Sequence, residues 1–127
     1  MILVTGATGF IGRALIRHLS TTGQQVRVLL RPSPQSPRIP KGVPVEVAVV
    51  SLNDERGVRA ALRGVDHIYH LASASTLGRR GNLLTTDIEG TRTLAQAARD
   101  AGIQRFIYLS HIGADRASAV TRLAACL

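Results

Sequence analysis

The stretch from Ile2 to Gly12, ILVTGATGFIG, decides the fold. Ile2–Thr5 is a short apolar run, and Gly6, Gly9 and Gly12 follow it at intervals of three. From Phe10 onward the apolar residues take helical spacing, which sets Ile11, Leu15 and Leu19 on one face. The order is therefore strand, glycine-rich turn, helix. In that setting each glycine has a task. Gly6 permits the sharp turn out of the strand, Gly9 leaves room for a diphosphate to approach the backbone, and Gly12 lets the helix pack closely against the sheet. The free amides and positive dipole end of the helix then face the phosphates. Gly6, Ala7, Thr8, Gly9, Phe10, Ile11 and Gly12 are the first candidate binding residues; the competing reading is a glycine turn with no ligand.

Outward from this corner, three joints share one grammar: LSTTGQQVRVLL, ALRGVDHIYHLA and ARDAGIQRFIYLS. In each, a helical pattern stops at a glycine (Gly23, Gly64, Gly102) and a short apolar or β-branched run follows within two or three residues. Glycine tolerates the left-handed conformation that closes a helix. The runs are nearly continuous, as in strands buried on both faces of a parallel sheet. This predicts an alternating α/β chain with strands at Ile2–Thr5, Gln25–Leu30, Val45–Val49, His67–Leu71 and Arg105–Leu109. Helices are predicted near Phe10–Thr21, Asp54–Arg63 and Leu83–Ala101. The segment 31–44, RPSPQSPRIPKGVP, holds all five prolines and reads as a loop. Right-handed crossovers favour a doubly wound parallel sheet in the order 3-2-1-4-5. Residues 1–127 read as one Rossmann-like domain.

Composition narrows the functional classes. A hydrophobic fraction of 45% and a charged fraction of 19% fit a globular protein with a core of its own. The net charge of +8 raises the question of nucleic acid. Against it, Lys41 is the sole lysine, the arginines are scattered, and four aromatic residues offer little to stack bases on. Cys126 has no partner within the chain, so neither an internal disulfide nor a cysteine metal cluster is expected. The apolar amino terminus lacks a basic leader and is soon broken by glycine, unlike a signal peptide or membrane span. A cytoplasmic protein is the expectation.

Gly-x-x-Gly-x-x-Gly with Thr5 ahead of it resembles the short-chain dehydrogenase/reductase superfamily in its extended and atypical branches. The segments SLNDERGVRAALRGVDHIYHLAS and DIEGTRTLAQAARDAGIQRFIYLSHIGA extend the resemblance over nearly the whole chain. They look like NAD-dependent epimerase/dehydratase and NmrA-like proteins, and the nucleotide-binding accessory subunit of respiratory complex I. The resemblance implies an NAD or NADP cofactor. Arg31 follows strand two, where an acidic residue would bind the ribose hydroxyls of NAD. Its guanidinium suits a 2′-phosphate, which favours NADP; otherwise it solvates a loop or stacks on adenine. Ser51 and Leu52 stand at an adenine-contacting Asp-Leu pair, with Ser51 replacing the acid. Leu71, Ala72 and Ser73 match the segment beneath the cofactor ribose. His70 reads as a packed or hydrogen-bonded core histidine rather than a catalytic one. Asp87 takes a position often held by Asn.

Catalysis in that superfamily rests on a Tyr-x-x-x-Lys pair and a serine after strand five. Ser110 matches the serine, and is equally read as satisfying backbone groups at a strand end. The pair is absent: four residues beyond Tyr69 and Tyr108 stand Ser73 and Ile112. Family members also continue with further strands and a substrate-binding region. The resemblance therefore leaves open a piece of a longer protein, a catalytically silent member, or a site completed by another chain. Three functions follow: the cofactor-binding part of a reductase, epimerase or dehydratase; a non-catalytic NADP-binding sensor or assembly module; and a basic nucleic-acid binder. Residues 114–127 keep apolar helical spacing with Val120, Leu123 and Leu127. A homodimer that hides this tail or the edge of strand five is expected.

Overall fold

A computed structural model of the chain describes residues 1–73 and 84–110, with the backbone alone for 84–86. The predicted tail at 114–127 and the start of the third helix at Leu83 lie outside the described residues. In chain order the elements are β1 (Ile2–Thr5), α1 (Phe10–Thr21), β2 (Val26–Leu30), β3 (Glu46–Val49), α2 (Glu55–Ala61), β4 (His67–His70), a π-helical segment (Leu84–Glu89), α3 (Gly90–Asp100) and β5 (Arg105–Tyr108). The five strands form one parallel sheet in the order β3-β2-β1-β4-β5, as the sequence predicts.

The central strand β1 is apolar throughout because both of its faces are covered. Ile2 and Val4 pack with Ile16 and Leu19 of α1 and with Val26 and Val28 of β2. Leu3 points the other way, into a core made by Val58, Ala61 and Leu62 near α2, Leu94, Ala97 and Ala98 of α3, and Ile68 of β4. Ile2 stands opposite Val26 on one side and His67 on the other, and the register runs in step to Thr5, opposite Leu29 and His70. The exits of β1, β2 and β4 therefore end at one level.

Gly23, Gly64 and Gly102 close α1, α2 and α3 with φ of +72°, +73° and +69°. At the first, the Gly23 and Gln24 amides donate to the carbonyls of Ser20 and Leu19, so the left-handed glycine satisfies the end of the helix. Asp54, predicted as the first helical residue of α2, is its N-cap: its Oδ1 accepts from the Gly57 amide at 3.0 Å.

Three local readings are corrected. The buried face of α1 is Gly12, Ile16 and Leu19, whereas Ile11 is 52% exposed. The helix rotates so that glycine makes the closest approach. Gly12 meets the corner itself rather than the sheet: a Cβ there would sit 2.7 Å from Ala7 Cα and collide with the Gly6 carbonyl. Finally, the third helix opens with a π-helical turn, Leu84–Glu89. Polar Thr85, Thr86 and Asp87 occupy that turn, so apolar periodicity does not register it. The strand ends shift by one residue at Gln25, Val45, Leu71 and Leu109. The proline segment 31–44 has neither helix nor strand. No helix therefore crosses over beside β3, and Val47 and Val49 are 51% and 60% exposed.

Candidate dinucleotide-binding site

The site is built on the exit of β1. Gly6 turns the chain with φ +69°, a conformation that favours glycine. A Cβ on Gly6 would lie 2.6 Å from the Leu71 carbonyl carbon and 2.7 Å from the Ala72 nitrogen. The exit of β4 thus runs directly against the turn, and no side chain fits between them. The Gly9 amide donates to the Gly6 carbonyl at 3.0 Å, and Gly9 then serves as N-cap of α1 in an extended conformation.

No side chain caps this helix and its first turn holds no acid. The first α-helical bond runs from the Arg13 amide to the Gly9 carbonyl at 3.0 Å. The amides of Phe10, Ile11 and Gly12 precede it, so they carry the donor capacity and partial positive charge of a helix start. Among the described residues beyond its chain neighbours, a Cβ on Gly9 would meet only the Gly6 carbonyl, at 3.3 Å. Phe10 is 85% exposed. Among the described residues, Gly9 thus leaves its outer side open, as the close approach of a diphosphate to the backbone requires.

The corner opens onto a crevice of about 170 Å³. Gly6, Ala7 and Thr8 form one wall and Ala72 and Ser73 another; Arg31 from the exit of β2 and Ser51, Leu52 and Asn53 from the exit of β3 complete it. It lies at the carboxyl ends of the strands beside the point where the strand order reverses between β1 and β4, the usual position for ligands in an open α/β sheet. A second groove of about 440 Å³ adjoins it through Thr8, Leu30 and Arg31, and Arg38, Val47 and Val49 also line it. Among the described residues, no acidic one lines either.

Behind the crevice runs a buried polar chain. Thr5 Oγ1 lies 2.6 Å from His70 Nδ1, and it accepts the amides of Leu71 and Ala72, each at 3.2 Å. His70 Nε2 lies 2.8 Å from Thr91 Oγ1. Burial lowers the His70 imidazole pKa to about 4, against the opposing pull of the Asp87 carboxylate. Asp87 is itself buried and accepts from Ser73 Oγ at 3.1 Å. His70 is therefore a hydrogen-bonded core histidine, as its setting in the sequence predicts.

Of the predicted binding residues, Gly6, Ala7, Thr8, Arg31, Ser51, Leu52, Ala72 and Ser73 line the crevice together. Gly9, Phe10, Ile11 and Gly12 stand at the helix start beside it. Leu71 turns its side chain into the core next to α1 and contributes backbone alone. Ser110 is exposed two residues beyond β5 and does not line the crevice. Thr5, Leu29, Leu30, Val50 and Asn53 line it without having been predicted. The signal for each was adjacency, since they stand within two residues of Gly6, Arg31 or the Ser51–Leu52 pair. Among the described residues no group of His, Cys, Asp or Glu is placed to hold a metal ion.

Known proteins agree with this geometry. A family model described as NAD(P)H-binding matches residues 6–124. The chain is 40% identical over 114 residues to the sterol demethylase protein B of Methylococcus capsulatus, covering 88% of this chain and 34% of that protein. It superposes with a TM-score of 0.67 on a short-chain dehydrogenase/reductase superfamily protein of Agrobacterium tumefaciens with bound NAD, at 33% identity, covering 87% of this chain and 32% of the other. It also resembles UDP-glucose 4-epimerase of Thermotoga maritima, with a TM-score of 0.76 and 26% identity over 94% of this chain and 40% of the other. The chain spans about a third of the length of the first of these relatives. A parallel 3-2-1-4-5 sheet, a bare glycine corner at its switch point and a family match over most of its length lead to one assignment: the chain belongs to the NAD(P)H-binding domain family of the short-chain dehydrogenase/reductase superfamily.

Proposed function

We propose that the chain is the cofactor domain of an epimerase-, dehydratase- or reductase-type oxidoreductase and that it prefers NADP. The observation that carries the proposal is the uncapped start of α1 beside Gly9, next to a crevice that no acidic residue lines among the described ones. The amides around Gly9–Gly12 would hold the diphosphate. Leu52 and Asn53 would flank the adenine, and Ala72 and Ser73 would lie beneath the second ribose. The cofactor supplies a hydride donor or acceptor; the protein binds it and orients it. Arg31 supports NADP because it lines both the crevice and the basic groove next to it, which also holds Arg38. A guanidinium there pairs with a 2′-phosphate through a fork of donors.

Proton transfer is a separate matter. The 127 residues contain no Tyr-x-x-x-Lys pair, and Ser110 is the one catalytic residue that the resemblance supplies. We infer that these residues alone bind cofactor without turnover. A non-catalytic NADP-binding sensor or assembly module is the alternative reading, and the same lack of the pair favours it. A homodimer over the β5 edge, where Leu109 is 47% exposed, belongs to the same proposal; a monomer by light scattering at high concentration refutes it. Among the described residues, no helix is long and apolar enough to cross a membrane.

Calorimetric titration of the purified chain with NADP and NAD tests the function. The expected result is one site per chain, tighter for NADP. Binding of neither refutes the cofactor assignment, and tighter binding of NAD refutes the role of Arg31.

A further inference from the structure

The proton positions along the buried polar chain can be deduced. Thr5 Oγ1 accepts two backbone amides, that of Ala72 and that of Leu71, the latter shared with the Thr5 carbonyl at 3.3 Å. A hydroxyl oxygen has two lone pairs and one proton. Both lone pairs are engaged, so the Thr5 proton must donate, and His70 Nδ1 lies 2.6 Å away. Nδ1 is therefore unprotonated, and the ring proton sits on Nε2, donating to Thr91 Oγ1 at 2.8 Å. The ring is fully buried and held between elements: Thr5 on β1, Thr91 on α3, and the Phe106 and Tyr108 rings of β5 at 6.0 and 5.6 Å. Asp87 is the charged group that acts on it.

The two amides that Thr5 holds are special. Leu71 and Ala72 are the residues against which a Cβ on Gly6 would collide. Their contact sets how far the β4 exit stands from the glycine corner, and both segments line the crevice. We propose that His70 is a positioning residue for the dinucleotide crevice: by accepting the Thr5 proton at Nδ1, it keeps the Thr5 lone pairs on the Leu71 and Ala72 amides. The imidazole does not touch cofactor. It acts through Thr5, as an acceptor. The inference rests on the cofactor reading given above.

The test combines binding with a spectroscopic signature. In wild-type protein, long-range proton–nitrogen correlation spectra should show His70 neutral with its proton on Nε2, and Thr5→Val should shift the Nδ1 resonance. His70→Leu removes the acceptor and should weaken dinucleotide binding about tenfold, the scale of one buried hydrogen bond. His70→Asn places an amide oxygen near the position of Nδ1 and should recover most of that loss. Thr5→Ser should bind as a threonine does, whereas Thr5→Val should lose about as much as His70→Leu. If His70→Leu does not fold, the Thr5 pair and the ring spectrum still decide the question. A folded His70→Leu that melts lower but binds as tightly as wild type makes His70 merely structural and overturns the proposal; so does a ring protonated on Nδ1. A wild-type chain that binds neither NAD nor NADP removes the cofactor reading instead, while the ring spectrum still reports on the tautomer.

Discussion

Replacing Gly6 with alanine tests the construction of the corner, because the added methyl meets backbone and nothing flexible. Two costs combine. The residue has φ +69°, and holding an L side chain in the left-handed region costs roughly 1–2 kcal/mol. The new Cβ would also lie 2.6–2.7 Å from the Leu71 carbonyl group and the Ala72 nitrogen, and overpacking of this kind adds roughly 1–3 kcal/mol. Gly64 provides the control: its φ is +73° and, among the described residues, nothing lies within 4 Å of its would-be Cβ. Gly64→Ala therefore carries only the conformational cost. In urea titrations read by circular dichroism, Gly6→Ala should lose about 2–5 kcal/mol, and more than Gly64→Ala by about the overpacking cost alone. For a domain of this size the melting temperature of Gly6→Ala should fall by roughly 10–20 °C. If both variants lose the same stability with unchanged denaturant slopes, the β4 exit does not press on the turn and the reasoning fails.

Other outcomes follow from the same geometry. Gly9→Val should leave the fold intact, since its Cβ meets only the Gly6 carbonyl at 3.3 Å, yet weaken dinucleotide binding by about 100-fold or more by occupying the space of the diphosphate; calorimetry and a melting curve together check this. Arg31→Ala should weaken NADP about 10- to 100-fold, the range for a hydrogen bond to a charged group, and leave NAD within about twofold. His70 makes stability pH-dependent. The unfolded imidazole takes up a proton near its ordinary 6.5, while the folded one does so only at about 4. The unfolded state then binds more protons between those values, so stability is full above about 6.5 and falls as pH drops towards 4, by up to about 3 kcal/mol. Denaturation midpoints of wild type and His70→Asn over that interval should converge as pH falls; parallel curves would refute it.

The sequence disclosed the fold because each helix ends on a glycine whose would-be Cβ meets nothing among the described residues. Gly23, Gly64 and Gly102 needed only a left-handed conformation, a local property that a single chain reveals. Gly6, Gly9 and Gly12 were legible for a related reason: their spacing is tied to a strand and a helix on either side. What escaped the reading depends on tertiary approach. Ile11 fits a helical stripe as well as Ile16 does, and only the collision of a Gly12 side chain with the Gly6–Ala7 backbone fixes which way α1 turns. The widened turn before α3 carries Asp87, whose burial no period announces. The same holds for the link from Thr5 to His70, 65 residues apart in the chain and 2.6 Å apart in the fold. Ser110, matched by resemblance alone, stands exposed outside the crevice.

The central claim is that the bare amides at the start of α1 receive the diphosphate. Amide proton–nitrogen spectra recorded during titration with NADP measure this most directly. The account predicts the largest shifts at Gly9, Phe10, Ile11 and Gly12, with smaller ones at Leu52, Ala72 and Ser73. Saturable binding that leaves those four amides unmoved while shifting residues on the α2–α3 surface would contradict it.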